Sequence, residues 1–257
     1  MILVIDIGNT NVKMGVFKGN ELIKSWRMHS DAQRTGDEYG ISLKQAFQEE
    51  GIRSADIEGS ILSSVIPQMN YTIEHMLNYY TGTKPLMVSP GVKTGLNIKY
   101  DNARELGSDR IITSVAAVKK YGAPVIVVDF GTATTFNAVN ERKEFLGGCI
   151  VPGIKTAVDA LTAKAAKLPR VEFQKPKTVI CRSTIANIQS GLINGTIGTV
   201  NYILRLMKRE MGSENVKVVA TGGLAELVKD ETDIDVVDRT LSLYGLKYLY
   251  DLNTPQE

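Results

Sequence analysis

The sequence is poor in the residues that mark several common protein classes. Among 257 residues there are two cysteines, two histidines and one tryptophan. Cys149 and Cys181 match no zinc spacing and give no multi-bridge framework, so a reduced, cytoplasmic setting is expected. His29 falls in a polar stretch and His75 on a helical one, with no clustered carboxylates or cysteines beside either, which gives a metal site there no support. No apolar run approaches the roughly 20 residues that cross a bilayer. The first residues read as a core strand, without the basic start and small-residue cleavage site of a signal peptide. No membrane partner is expected. Basic runs and aromatic–basic interleaving are missing too: 30 Lys+Arg stand against 28 Asp+Glu, a balance that gives nucleic acid no support as a partner.

What is present is enough apolar content, 43%, for substantial cores, and a length that fits one large domain or two of about 125 residues. The chain is organised around its first seventeen residues. Ile2 to Ile5 is apolar, Asp6 ends the run, Gly8 breaks it, and Val12 to Phe17 is apolar again. That pattern is a β-hairpin with a tight turn. Asp6 suits a divalent cation, Gly8 permits close backbone approach, and Asn9, Thr10, Asn11 and Lys13 offer donors to phosphate oxygens. Asp, Asn and Gly also favour ordinary solvated turns, so the turn alone does not decide. Residues 124–139 repeat the arrangement: an apolar run ends in Asp129-Phe130-Gly131-Thr132 and resumes after small hydroxyl residues. Asp6 aligns with Asp129, Gly8 with Gly131 and Asn9 with Thr132. A repeat half a chain apart suggests two related domains, with two turns able to hold the phosphates of one nucleotide.

Between and after the hairpins, helices are expected at 36–50, 71–80 and 154–166, and from Ile111 through Val118. A long helix capped by Ser183 or Thr184 should run to Met211, with Gly191, Gly195 and Gly198 on a face that would suit another backbone or a nucleotide. Strands are expected at 21–27, 57–65, 86–88, 144–151, 216–220 and 234–237. Gly147-Gly148 suggests a bulge or a close backbone approach. Thr221-Gly222-Gly223 before a helix start would present amides to a phosphate. Asp109 and Arg110 fall at a helix start, where an acid serves as an ordinary first-turn residue, or as a carboxylate aimed into a cleft with Arg110 beside it for an anionic substrate.

Taken in order, Asp6-Ile7-Gly8-Asn9-Thr10, Tyr100 with Gly107-Ser108-Asp109-Arg110, Asp129 to Thr134, Gly147-Gly148 and Thr221-Gly222-Gly223 resemble type III pantothenate kinase, of the acetate and sugar kinase/Hsp70/actin superfamily. The resemblance implies an α/β fold of two ribonuclease H-like, actin-like ATPase domains, 1–115 and 116–257, with a nucleotide cleft between them. It implies transfer of the γ-phosphoryl of ATP to pantothenate, giving 4'-phosphopantothenate at the first step of coenzyme A biosynthesis. Asp6, Ile7, Gly8, Asn9, Thr10, Asn11, Val12 and Lys13 would then bind ATP together with Thr132. Tyr100, Gly107, Ser108, Asp109, Arg110 and Thr184 would bind pantothenate, with Asp109 as the proton acceptor. Mg²⁺ would accompany ATP with Asp6 nearby, and Asp129 would hold a monovalent cation, potassium or ammonium. A homodimer is implied as well. Two other readings keep the same turns. One is a nucleotide-binding accessory or regulatory protein without metabolic kinase activity. The other is an acetate or sugar kinase, against which the short chain argues.

Overall fold

The computed structural model describes residues 1–165 and 167–255. The chain runs β1 (Ile2–Ile7), β2 (Asn11–Lys18), β3 (Glu21–His29), α1 (Gly36–Glu49), β4 (Gly59–Ser64), α2 (Pro67–Thr81), β5 (Leu86–Met87), β6 (Asn97–Ile98) and α3 (Ser108–Tyr121). It continues through β7 (Val125–Phe130), β8 (Ala133–Val139), β9 (Glu144–Pro152), α4 (Ile154–Lys164), α5 (Thr184–Met211), β10 (Lys217–Gly222), β11 (Val236–Val237) and α6 (Leu241–Asn253). No described helix is long and apolar enough to cross a membrane.

Contacts divide the chain into two compact units. One holds Met1–Gly95, Asp101–Ala116 and the segment from Thr240 through α6; the other holds Leu96–Tyr100 and Ala117–Arg239. The division expected from chain order, at residues 115 and 116, differs in two segments: β6 joins the second unit and α6 the first. The reason for α6 is its apolar face. Leu243, Leu246 and Leu249 are buried, and Tyr244 meets Phe17 of β2 edge-on at 5.2 Å between ring centres.

The two sheets repeat one plan. The first has the strand order β3-β2-β1-β4-β5 and the second β11-β10-β7-β8-β9-β6. In each, an antiparallel three-stranded meander is extended by two strands parallel to its first strand. β1 and β7 are therefore central, which explains why they read as continuous apolar runs and not as alternating ones. Leu3, Val4 and Ile5 are fully buried, as are Val125 to Val128. Each such side chain contributes about 1.5–3 kcal/mol of burial.

In the first unit Leu3, Ile5 and Ile7 join Tyr39, Leu43 and Phe47 of α1 and Ile73, Met76 and Leu77 of α2 in one core. Trp26 packs against it, tilted over Phe47 at 5.9 Å. In the second, Ile126 and Val128 join Val200 and Leu204 of α5. Local signals set the helix ends. Thr35 caps α1 in a capping box with Glu38, a device worth about 1 kcal/mol. α2 starts at Pro67, four residues before the apolar spacing begins, because proline at a first helical position loses no hydrogen bond. Of the helix expected over 154–166, α4 ends at Lys164; Ala166 lies outside the described residues. After Gly223 the chain forms two short 3₁₀ turns, Ala225–Leu227 and Lys229–Glu231, in place of the expected helix start. The buried positions here, Ala225 and Val228, fall three apart, the period of a 3₁₀ turn.

α6 and α3 touch through backbone: a Cβ on Gly245 would overlap the carbonyl of Ile112. Alanine inside a helix ordinarily gains about 1 kcal/mol over glycine. Here overpacking should reverse the sign, so Gly245→Ala is expected to destabilise by about 1–3 kcal/mol in urea titrations. A gain in stability would contradict this packing.

Candidate active site

Each hairpin delivers an acid at the end of a central strand and then turns at once. Asp6 is buried, with 5% of its surface exposed, and Asp129 is half-buried. The Gly8 amide donates to the Asn11 carbonyl at 3.0 Å, and the Gly131 amide to that of Ala133 at 3.1 Å. The chain leaving the third strand of each meander then braces the turn. After β3, the Ser30 amide donates to the Thr10 carbonyl at 3.0 Å and its hydroxyl to the Gly8 carbonyl at 2.6 Å. After β9, the Gly153 amide and the Thr156 hydroxyl both donate to the Thr132 carbonyl, at 3.1 and 2.6 Å. A Cβ at Gly153 would overlap the Thr132 carbonyl, so only glycine permits this bracing.

On the first turn Asn9, Thr10 and Asn11 are exposed. Ile7 and Val12 point into the core, so they can offer only backbone groups. Lys13 is the register partner of Asp6, with Nζ 3.8 Å from Oδ2.

The first unit brings Gly107–Arg110 to this end of β1. Asp109 opens α3, where its Oδ1 accepts the Arg110 amide at 2.9 Å. Gly107 is needed beside it, because a Cβ there would run into that same Oδ1. Burial holds the Asp109 carboxyl above the usual aspartate range, and the negative charge of Asp6 adds to the effect; the amide and guanidinium of Arg110 oppose it. Arg110 itself is buried. The hydroxyl of Ser108 accepts from Ser63 at 2.9 Å and donates to the Ser64 carbonyl at 3.3 Å. Thus Asp6, Lys13, Ser108 and Asp109 gather in one unit.

The remaining expected residues belong to the second unit and lie in separate places within it. Thr132 is on the β7–β8 turn and Asp129 just before it. Tyr100 follows β6, 6.3 Å from Phe145 between ring centres, and close to the position a Cβ on Gly147 would take. Gly147 and Gly148 combine a bulge with a close backbone approach: the β8–β9 register slips here, and a Cβ on Gly148 would strike the Phe136 carbonyl. At α5 the cap is Ser183, whose hydroxyl accepts the Ala186 amide at 3.3 Å; Thr184 is the next residue, and exposed.

Sequence reasoning missed Ser63, Ser30, Gly153 and Thr156. Ser63 had one usable signal, as a polar residue ending an apolar strand. The bracing residues had none, since they act through contacts with turns far away in sequence. No group of three or more His, Cys, Asp or Glu able to hold a metal occurs among the described residues. A lone buried carboxylate such as Asp6 still fits Mg²⁺, which keeps several waters and takes one or two carboxylates plus substrate phosphates.

Comparison with known proteins gives a family and a fold. The model of the type III pantothenate kinase family matches residues 2–206. A structure described as a conserved Baf family transcriptional activator from Campylobacter jejuni is 19% identical, with 97% of each chain covered and a TM-score of 0.59. An inorganic polyphosphate/ATP-glucomannokinase from Arthrobacter sp. strain KM is 10% identical over 98% of this chain and 99% of that one, with a TM-score of 0.51. A ROK hexokinase from Thermus thermophilus is 14% identical over 96% and 97%, also at 0.51. At these identities the likeness shows the fold alone. It is the sugar kinase and actin-like ATPase fold, with two ribonuclease H-like domains.

The raised Asp109 pKa has a consequence for stability. Between the unfolded aspartate value of about 3.9 and the higher folded value, the native state binds more protons, so stability falls as pH rises through that window. At neutral pH ionised Asp109 therefore costs stability. Asp109→Asn is expected to melt at a higher temperature than the wild type at pH 7, with the gap closing below about pH 4. An unchanged or lower melting temperature at pH 7 would contradict the raised pKa.

Proposed function

The chain belongs to the type III pantothenate kinase family, and from that premise we propose that it transfers the γ-phosphoryl of ATP to pantothenate, opening coenzyme A biosynthesis. The observation that carries the reading is Asp109, a half-buried carboxylate near Asp6 whose proton affinity is raised. Phosphoryl transfer depends mainly on positioning and charge neutralisation. The donor-rich first turn, Asn9 to Lys13, would cradle phosphate oxygens, and Thr132 would offer the second set of contacts. Asp109 would take the proton of the acceptor hydroxyl as its oxygen bonds to the γ-phosphorus and the bond to the departing ADP oxygen breaks. A base whose pKa is raised toward the working pH suits that role.

Asp6 would hold Mg²⁺, which, when bound with ATP, offsets the charge of the triphosphate. Asp129, at the matching strand end of the second sheet, would hold a potassium or ammonium ion. On the acceptor side, Tyr100, Gly107, Ser108, Arg110 and Thr184 are the proposed pantothenate contacts, the last offering a hydroxyl just past the cap of α5. The two free cysteines are consistent with a cytoplasmic setting.

A homodimer is supported by α5. Ile185, Tyr202 and Leu206 are exposed on it, and a Cβ at Gly191, Gly195 or Gly198 would meet nothing among the described residues. The glycine-bearing face is therefore free to accept a second copy.

Purified protein with Mg²⁺, ATP, potassium and pantothenate is expected to release ADP in a pantothenate-dependent, saturable way, and to slow when potassium is replaced by tetramethylammonium. Absence of pantothenate-dependent turnover would overturn the reading. Asp109→Asn is expected to lower kcat by about 10²-fold or more with the fold intact; near-normal turnover would return Asp109 to a helix-start role.

A further inference from the structure

Two serines, Ser63 and Ser64, end strand β4 just past its apolar pair. Ile61 and Leu62 of β4 are fully buried, and so is Ser63, at 0% exposure. A hydroxyl there costs stability unless it is hydrogen-bonded, and its partner is not a group on its own sheet. Ser63 Oγ donates to Ser108 Oγ at 2.9 Å, and Ser108 Oγ reaches the Ser64 carbonyl at 3.3 Å. This two-bond staple joins the end of β4 to the first residue of α3. Ser63 is also the register partner of Asp6 across the parallel β1–β4 pair. Since Leu62 and Ile5 both enter the core beneath α1 and α2, strand alternation puts Ser63 and Asp6 together on the opposite face.

The staple matters because Asp109 is the next residue after Ser108, and it is a like charge near Asp6. Coulomb repulsion drives two carboxylates apart, so a carboxylate kept close to another needs its backbone held. The Arg110 amide fixes the Asp109 side chain locally. The hydroxyl of Ser108 ties the backbone of this helix start to the sheet, at both Ser63 and Ser64.

We propose that Ser63 is a positioning residue: through Ser108 it anchors the first turn of α3 and thereby sets the place of Asp109 beside Asp6. The inference rests on the reading of Asp109 as the proton acceptor. A misplacement of about 1 Å at a reacting group costs up to about 10²-fold in rate, so loss of the staple should appear in the chemical step and not in nucleotide binding.

The test uses the full chain and three variants, Ser63→Ala, Ser108→Ala and the double variant, with rates expressed per folded protein from melting curves. Ser63→Ala is expected to lower kcat about tenfold or more while leaving the KM for ATP within about twofold. Because Ser108→Ala already removes the bond to Ser63 as well as the bond to the Ser64 carbonyl, the double variant should match Ser108→Ala alone. Hydrogen exchange is read on the same proteins: the Arg110 and Ile111 amides should exchange about tenfold faster in Ser63→Ala, with Ala116 to Val118 unchanged. If Ser63→Ala does not fold, exchange at Arg110 and Ile111 in Ser108→Ala decides, because that readout does not depend on the substrate contact proposed for Ser108. Normal kcat with normal exchange at Arg110 would overturn the proposal, as would multiplying losses in the double variant. Absence of pantothenate turnover in the wild type would defeat the kinase reading alone, and exchange would still decide whether the staple positions Asp109.

Discussion

The constraint on which the rest of this structure depends is the placement of a carboxylate at the end of a strand buried on both faces. Apolar residues on both sides of β1 force it to the centre of its sheet, and the same holds for β7. At a central strand's end the neighbouring strands and helices also end, so an acid there meets turns and helix starts and not solvent. Asp6 is consequently surrounded by what those elements bring: Lys13 from the returning strand, Ser63 from the parallel neighbour and Asp109 from α3.

The duplication uses this arrangement twice but not identically. In both sheets the strand parallel to the central one carries a hydroxyl beside the acid, Ser63 beside Asp6 and Thr221 beside Asp129. In both, the chain after the third strand reaches back to brace the turn. At the first copy a helix start brings in a second carboxylate, Asp109, whose proton affinity is raised by burial first and by the like charge of Asp6 second. In the proposed function the first copy carries the proton acceptor together with phosphate donors, and the second offers Thr132 and the monovalent-cation ligand Asp129.

Much of this was legible in the sequence because it is local. A run of apolar residues, an acid, a glycine and a second run specify a hairpin wherever they occur, and finding the pattern at Asp6 and again at Asp129 disclosed the two-part design. What stayed hidden depends on register between distant segments. Ser63 and Ser108 are 45 residues apart, and nothing in either neighbourhood says that β4 ends against α3. α6 follows the second sheet in sequence yet covers the first, a choice made by its leucines and by the fit of Gly245 on Ile112. Ser183 and Thr184 are adjacent hydroxyls, and only backbone geometry decides which one caps.

β6, two residues long, has a consequence for assembly. A sheet edge is a template for pairing with another chain, and proteins blunt it with charge, bulges or a covering segment. β9 is bulged at Leu146 and then covered by Asn97–Ile98, through bonds from the Asn97 amide to Lys143 and from the Lys99 amide to Phe145. The same short segment delivers Tyr100 beside Gly147 and Phe145. Protection against edge-to-edge aggregation and the placement of an aromatic side chain are thus one structural decision, so a change of length between β5 and β6 that shifted one would shift the other.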